Sequence, residues 1–220
     1  MSTEATARDD RRFRRAAQGA VAFVVLLWAV HTVGWITGLP VERLGVLPRS
    51  EAGLTGVLTA PLVHGSWGHL VANSLPIIVL GTALVYGFPR AARIAIPLIW
   101  LGTGIGVWLF ARDSWHIGAS GLTHGMMFFV FVAGILRRDR RSIALALIVF
   151  FLYGGMIWTI FPRDPDVSFE SHFFGAVTGV VLAFLLRRRD PLPEPKRYDW
   201  EGEDAGAEDD PDAAAPRREP

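Results

Sequence analysis

The sequence predicts an all-α polytopic membrane protein, a bundle of six transmembrane helices with both termini in the cytoplasm. Hydrophobic residues make up 51% of the 220 residues, and charged residues only 20%. The charges are clustered, and each stretch between clusters is close to the ~20 residues with which a helix crosses a bilayer. Basic residues also concentrate in alternate connections. The composition argues against a secreted globular domain and against a nucleic-acid-binding protein.

Six charge-poor stretches are the predicted membrane helices. A bilayer offers backbone groups no hydrogen-bond partner outside a helix or a closed barrel, and the strict alternation of barrel strands is absent. The predicted spans are 16–37, 67–87, 92–111, 118–136, 142–161 and 169–186. The longer stretch 38–66 is polar and contains three prolines, so it is predicted to be a substantial loop with short interfacial helices.

The distribution of basic residues predicts the orientation of the bundle. Residues 1–15, the turn around residue 90, the loop 137–141 and residues 187–189 together hold 14 arginines. The remaining connections hold only four. Because basic connections stay on the cytoplasmic side, both termini are predicted to be cytoplasmic.

The two ends of the chain differ from the membrane domain in composition. Residues 1–15 are predicted to be a cytoplasmic Arg-rich segment, residues 16–189 the six-helix membrane domain and residues 190–220 a disordered tail. The tail holds 11 acidic and 4 basic residues with almost no apolar content, so it cannot bury enough surface to offset its ordering entropy.

Only Lys196 among the 22 basic residues is a lysine. Such a preference for arginine over lysine is typical of GC-rich coding, which indicates a bacterium. The predicted location is therefore a bacterial plasma membrane.

Polar residues inside membrane spans are costly and indicate function. Three polar groups stand at the starts of spans two, four and six: 64–73, 118–121 and 171–175. These three spans run in the same direction, so their first residues lie at one depth near the external face. His69, Ser120 and His172 can therefore meet, although about 50 residues separate each from the next.

The residue types at this depth indicate acyl-transfer chemistry. A serine hydroxyl is a weak nucleophile until a base takes its proton, and His172 is the candidate base for Ser120. The tetrahedral intermediate carries an oxyanion that needs donors in place. His69 and Asn73 are spaced i, i+4 and share one helix face, and the Ser120 backbone N–H lies near a helix start.

Small residues are predicted to let the helices approach each other closely. Gly118 and Gly121 flank the serine. Gly175 and Gly179 form a small-xxx-small face on span six, and Gly121 and Gly125 form one on span four. Such faces bring helices close enough for a hydroxyl–imidazole hydrogen bond.

The pattern resembles the rhomboid family of intramembrane serine proteases over residues 16–186. The matching elements are His64-x4-His69-x3-Asn73, Gly118-Ala119-Ser120-Gly121 and His172-x2-Gly175-x3-Gly179. The resemblance implies a Ser120–His172 catalytic dyad without an aspartate, and an oxyanion hole from His69, Asn73 and the Ser120 N–H. It also implies a supporting role for His64, and no cofactor or metal.

Two positions depart from the pattern of many relatives. The stretch 38–66 contains no Trp-Arg pair. Where some relatives place an aromatic ring four residues after the serine, which stacks on the catalytic histidine, this chain has His124. The resemblance predicts that the His124 ring stacks in the same way.

A metal site is the alternative that the histidines suggest. His64, His69, His116, His124 and His172 are enough imidazoles for zinc, but none pairs at i, i+4 as in His-Glu-x-x-His. His31 is predicted to be a packing or interhelical hydrogen-bonding residue. His116, beside Trp115 in a short external loop, is predicted to lie at the surface.

Two functions remain open from the sequence. The first is a serine endopeptidase that cleaves transmembrane segments of other membrane proteins, with the loops 38–66 and 162–170 as candidates for the rim and lid of a water-accessible cavity. The second is a non-catalytic rhomboid-like chaperone or adaptor that binds transmembrane helices. The predicted partners are membrane-protein substrates and the lipid bilayer, with no nucleic acid.

Overall fold

The computed structural model describes residues 3–190, and within them the chain is helical with no β-strand. The six long helices are α1 (Thr3–Thr37), α2 (Trp67–Gly87), α3 (Pro89–Phe110), α4 (Ser120–Arg137), α5 (Arg140–Tyr153) and α6 (Phe169–Leu186). Helix α5 continues as a 3-10 segment, Gly154–Ile160. Two adjacent glycines, which are weak helix formers, begin that change of geometry.

The predicted fold class is confirmed. Within residues 3–190, six helices are long and apolar enough to cross a membrane, namely those of the six predicted spans. The bounds of α2, α3, α4 and α6, and those of α5 together with its 3-10 continuation, fall within about three residues of the prediction. Apolar runs and the polar residues that flank them define the ends of membrane helices. Of the tail 190–220, predicted to be disordered, all residues except Asp190 lie outside the described residues.

Helix α1 begins much earlier than predicted. The predicted span started at residue 16, whereas α1 starts at Thr3 and runs without a break. Five of residues 3–15 are Arg, a good helix former, and none is the Gly or Pro that would stop a helix. This extension contacts the end of α2, where the Tyr86 hydroxyl donates to the Asp9 carboxylate at 2.9 Å. Phe13 packs edge-on against the same tyrosine ring.

The loop 38–66 folds back onto the bundle. It contains four short helical segments: Val41–Leu44, Glu51–Gly53, Gly56–Thr59 and Ala60–Leu62. Trp108 of α3 donates its indole N–H to the Ser50 carbonyl at 3.0 Å. The Gly118 N–H, just before α4, donates to the Ala60 carbonyl at 2.9 Å. The loop therefore braces the start of α4.

Helix α4 is the most deeply buried of the six, and α6 packs tightly against it. A Cβ at Gly175 would overlap the Gly121 carbonyl, and a Cβ at Gly179 would overlap the Gly125 carbonyl. The predicted small-residue faces are thus in direct contact, backbone against backbone. This contact fixes the start of α6 beside the start of α4.

The end of the described chain is fastened to α3. Asp190, which the sequence assigns to the tail, is buried instead. Its carboxylate accepts from the Arg90 and Ala91 N–H groups at 2.9 and 3.0 Å. These are among the first N–H groups of α3, which have no partner within the helix, and a carboxylate there also interacts favourably with the helix dipole.

Candidate active site

Ser120 is the first residue of α4. The first bond within the helix runs from the Thr123 N–H to the Ala119 carbonyl at 3.1 Å, so the Ser120 N–H precedes it and has no partner within the helix. Gly118 has a φ of +105°, and a Cβ there would lie 2.5 Å from Cε1 of His69. The turn before the serine therefore needs glycine, both for its conformation and for space.

Ser120 and His172 form a hydrogen-bonded pair. The Ser120 Oγ lies 2.9 Å from His172 Nε2. The other ring nitrogen, Nδ1, lies 3.0 Å from the Thr159 carbonyl oxygen. A carbonyl can only accept, so Nδ1 carries the proton and Nε2 is free to accept from the serine hydroxyl. This is the tautomer that a general base for Ser120 requires.

His124 stacks face to face on His172, with ring centroids 4.0 Å apart and an interplanar angle of 9°. Its Nδ1 lies 2.7 Å from the Ser120 carbonyl oxygen, and its Nε2 lies 2.8 Å from the Thr159 hydroxyl. The carbonyl requires the proton on Nδ1, so in the neutral ring Nε2 can only accept. The Thr159 hydroxyl lies 2.8 Å from the Met156 carbonyl as well, and its one proton is shared between these two acceptors. Thr159 thus contacts both imidazoles, one through its carbonyl and one through its hydroxyl.

His69 and Asn73 lie one turn apart on α2 and line the same cavity as Ser120. Ser66 caps this helix, and its hydroxyl accepts from the His69 N–H at 3.1 Å. The His69 ring packs over Gly118, directly before the serine. The Asn73 Nδ2 donates to the His69 carbonyl at 2.9 Å, which leaves one further N–H on that amide.

His64 is fully buried behind these residues. The Ala119 N–H donates to its Nε2 at 3.5 Å, and its ring contacts the His69 ring edge-on at 5.0 Å. Burial, with smaller contributions from His69 and His31, lowers the pKa of His64 to about 3. The ring is therefore neutral near pH 7, and its position suits support of the turn before Ser120.

The cavity at this end of the bundle has a volume of about 770 Å³. It extends between α2 and the end of α5, and it reaches the loop before α6. Its lining includes Ser120, His172, His69, Asn73, Pro76, Tyr153, Met156 and Ser168. Within residues 3–190, no group of three His, Cys, Asp or Glu side chains is arranged to hold a metal ion.

Sequence reasoning missed two features of the site. The Thr159 carbonyl that orients His172 leaves no sequence signal, because every residue has a carbonyl. His116, predicted to lie at the surface, is only 2% exposed. The prediction was wrong because a loop position shows nothing about the segments that pack over it.

The family assignment rests on a match over most of the membrane domain. The family model of the Rhomboid domain matches residues 51–189, which include α2 to α6 and every predicted site residue. The chain belongs to the rhomboid family. It is accordingly a multi-pass membrane protein, as its six apolar helices also indicate.

Several relatives of this rhomboid-family chain come from mycobacteria. An uncharacterized protein of Mycobacterium tuberculosis (strain H37Rv) is 37% identical over 175 residues, which cover 76% of this chain and 73% of that protein. An uncharacterized protein of Mycobacterium leprae is 32% identical, over 80% and 74% of the two chains. A Bacillus subtilis protein named as a rhomboid protease candidate is 25% identical, over 74% and 78%.

Proposed function

We propose that this rhomboid-family protein is an intramembrane serine endopeptidase that cleaves transmembrane segments of other membrane proteins. The observation that carries the proposal is the 2.9 Å contact between Ser120 Oγ and His172 Nε2. A hydroxyl that donates to an imidazole held in the accepting tautomer is the arrangement of an activated nucleophile. The adjacent cavity provides space for a peptide segment and for water.

Acylation begins when Ser120 Oγ attacks the carbonyl carbon of the scissile peptide. The hydroxyl proton passes to His172 Nε2, and the ring becomes an imidazolium. The Thr159 carbonyl, already bonded to Nδ1, stabilises that positive charge through its partial negative charge. When the intermediate collapses, the C–N bond breaks, and the Nε2 proton passes to the leaving amine nitrogen. An ester to Ser120 remains.

The oxyanion of the tetrahedral intermediate needs donors that are in place before the reaction. The proposed donors are the Ser120 N–H, the His69 ring and the remaining N–H of the Asn73 amide. The first lies at the N-terminus of α4, where the helix dipole also favours negative charge. The other two come from one face of α2 and line the same cavity.

Deacylation needs water at the ester. His172, neutral again after it has protonated the amine, takes a proton from a water molecule that attacks the ester carbonyl. It then returns that proton to Ser120 Oγ, which releases the new carboxyl group. The cavity borders polar groups such as Arg112 and Asp166, which supports access from the aqueous side.

The substrate reaches the serine between α2 and the end of α5 in this proposal. Both elements line the cavity, and α5 is the least buried of the six helices. The basic connections at the far end favour a cytoplasmic location for that end, so the dyad lies near the external face. The proposed location is the plasma membrane of a bacterium.

The proposal is tested with purified protein in vesicles and a model substrate whose transmembrane helix is easily unwound. We expect the wild type to cleave it and Ser120→Ala and His172→Ala to lose at least about 10³-fold in rate. The matched control is Thr37→Ala at the end of α1, where the exposed hydroxyl lies outside the cavity and donates to the Val33 carbonyl of its own helix. It should cleave at the wild-type rate.

A fluorophosphonate provides a second measurement. It should label Ser120 in the wild type and leave His172→Ala unlabelled. Equal cleavage by the wild type and Ser120→Ala would refute the dyad. Binding of transmembrane helices without any cleavage would instead favour the chaperone or adaptor function.

A further inference from the structure

His116 occupies a buried position that the proposed chemistry does not use. It lies in the connection between α3 and α4, four residues before Ser120. Its backbone pairs with Val46 of the loop 38–66, with N–O distances of 2.9 and 2.8 Å in the two directions. Its side chain is turned away from solvent and contacts the segment before α6.

The hydrogen bonds of the His116 ring define its tautomer. Nε2 lies 3.0 Å from the Arg112 carbonyl oxygen, which can only accept, so Nε2 carries the proton. Nδ1 lies 2.6 Å from the Ser168 hydroxyl and accepts its proton. Burial lowers the pKa of His116, an effect that the Arg112 carbonyl and Glu170 partly oppose. The neutral ring is consistent with these bonds.

Ser168 connects His116 to α6 through hydrogen bonds. It is the N-cap of that helix, and its oxygen accepts from the Ser171 N–H at 3.3 Å. The Ser171 hydroxyl lies 2.7 Å from the same oxygen and donates to it, because the Ser168 proton is directed at His116. The next residue is His172. A directional chain of hydrogen bonds thus runs from the loop before Ser120 to the first turn of the helix that carries its partner.

Arg112, in the same loop, holds the adjoining segment. Its Nη2 donates to the Pro165 and Val167 carbonyls at 2.9 and 2.8 Å. Its backbone N–H donates to Glu170 Oε1 at 3.3 Å, and its Nε lies 3.6 Å from the same oxygen. Two residues of one loop, Arg112 and His116, therefore hold both the approach to α6 and its first turn.

We propose that His116 is a positioning residue for the dyad, which acts through Ser168 to fix the first turn of α6 and with it the distance from His172 to Ser120. The proposal rests on the proposed protease function. It also explains why a buried imidazole, with one donor and one acceptor on opposite sides, occupies this loop. A purely apolar ring would fill the space without joining the two segments.

The kinetic test compares three variants. His116→Phe keeps the ring volume without either hydrogen bond, Ser168→Ala removes the linking hydroxyl, and Ser168→Thr retains it. We expect the first two to lower kcat and the fluorophosphonate labelling rate of Ser120 about tenfold with KM unchanged, because small displacements of reacting groups reduce the rate. Ser168→Thr should stay within about twofold of the wild type. Asp113→Asn, exposed in the same loop, is the matched control and should match the wild type.

The double variant His116→Phe/Ser168→Ala tests whether the two residues act through one contact. Its rate should equal that of the slower single variant, because the contact is already lost. Multiplied losses, or a rise in KM at constant kcat, would overturn the proposal.

A measurement without substrate separates this proposal from the proposed function. Solid-state NMR of ¹⁵N-histidine should show His116 protonated at Nε2 and His172 at Nδ1 in the wild type. In His116→Phe the His172 resonances should shift or broaden, since the first turn of α6 is no longer held. If the wild type neither cleaves nor labels but this change occurs, the protease function fails and the positioning role stands. Unchanged His172 resonances in His116→Phe would overturn the positioning role, whatever the activity.

Discussion

At the scale of single residues, His172 is oriented by a main-chain carbonyl and not by a carboxylate. The Thr159 carbonyl selects the tautomer in which Nε2 accepts from Ser120. It belongs to the 3-10 segment that follows α5, so the geometry of His172 depends on a segment outside both helices that carry the dyad. A carbonyl costs less to desolvate than a carboxylate, which suits a site within the bilayer.

Substitution of His124 separates its stacking from its hydrogen bonds. His124→Phe keeps a flat ring against His172 but loses the contacts with Ser120 and Thr159. The Ser120 carbonyl still accepts from the Thr123 hydroxyl at 2.8 Å, so it is not left unpaired. We expect His124→Phe to retain cleavage within about tenfold and His124→Ala to lose more, because it removes the stack. Cleavage assays on both variants check this, and complete loss in His124→Phe would contradict a stacking role.

The lowered pKa of His64 makes the free energy of unfolding depend on pH. Its pKa is about 3 in the folded protein against 6.5 for the free side chain, so between these values the unfolded state binds a proton that the folded state does not. The contribution of His64 to the unfolding free energy is therefore fully present above pH 6.5, and it is lost as the pH falls below that value. The loss is about 1.4 kcal/mol per pH unit at most, or about 2 kcal/mol between pH 6.5 and 5.

The matched variant for this prediction is His64→Gln, whose side-chain oxygen can still accept from Ala119 but does not titrate. Unfolding free energies measured in mixed micelles at pH 6.5 and 5 should fall less in His64→Gln than in the wild type. Equal decreases in the two proteins would show that His64 does not titrate on unfolding.

At the scale of elements, the backbone contact between α4 and α6 determines where Ser120 and His172 meet. Gly121 and Gly125 of α4 face Gly175 and Gly179 of α6, and no side chain fits between the helices at these points. Without an apolar driving force between helices in lipid, such close packing is the main source of their association. Stability and dyad geometry therefore depend on the same four residues.

Substitution of one glycine on α6 should affect both properties. In Gly179→Ala the new methyl group overlaps the Gly125 carbonyl, so the helices separate, and we expect a loss of about 1–3 kcal/mol in unfolding free energy together with slower cleavage. Gly19→Ala is the matched control, because nothing lies within 4 Å of the added Cβ on α1. It should be neutral or stabilise the helix by up to about 1 kcal/mol. Equal stability of the two variants would contradict the packing role of Gly179.

At the scale of the whole molecule, the two ends of the bundle differ in their number of basic residues and in the structural features that they carry. The far end carries the extension of α1, the arginines of the 137–141 turn and the Asp190 contact with α3. The other end carries the dyad, the cavity and the braced loop 38–66. The dyad lies at the end with fewer basic residues, and the positive-inside rule predicts that this end faces away from the cytoplasm.

The absence of cysteine from the sequence makes this orientation directly testable. A single cysteine is introduced either at Asp113, exposed near the dyad, or at Arg140, exposed at the far end. In intact cells a membrane-impermeant maleimide should label Asp113→Cys, and it should label Arg140→Cys only after permeabilisation. Labelling in the opposite order would reverse the proposed topology.

Much of this fold follows from local pattern. The number of helices, the ends of α2, α3, α4 and α6 and the polar residues at the starts of α2, α4 and α6 could all be predicted. The start of α1 could not, because residues 3–15 are polar but also helix-forming, and hydropathy reports only where a helix enters lipid.

Six membrane helices and the residue types at their ends are predictable from local composition, because each helix satisfies its own backbone hydrogen bonds. The carbonyl that orients His172, the burial of His116 and the contact of Asp190 with α3 become known from the folded structure alone. Each of these features depends on contacts between segments that are far apart in the sequence, and local composition does not specify which distant segments come into contact.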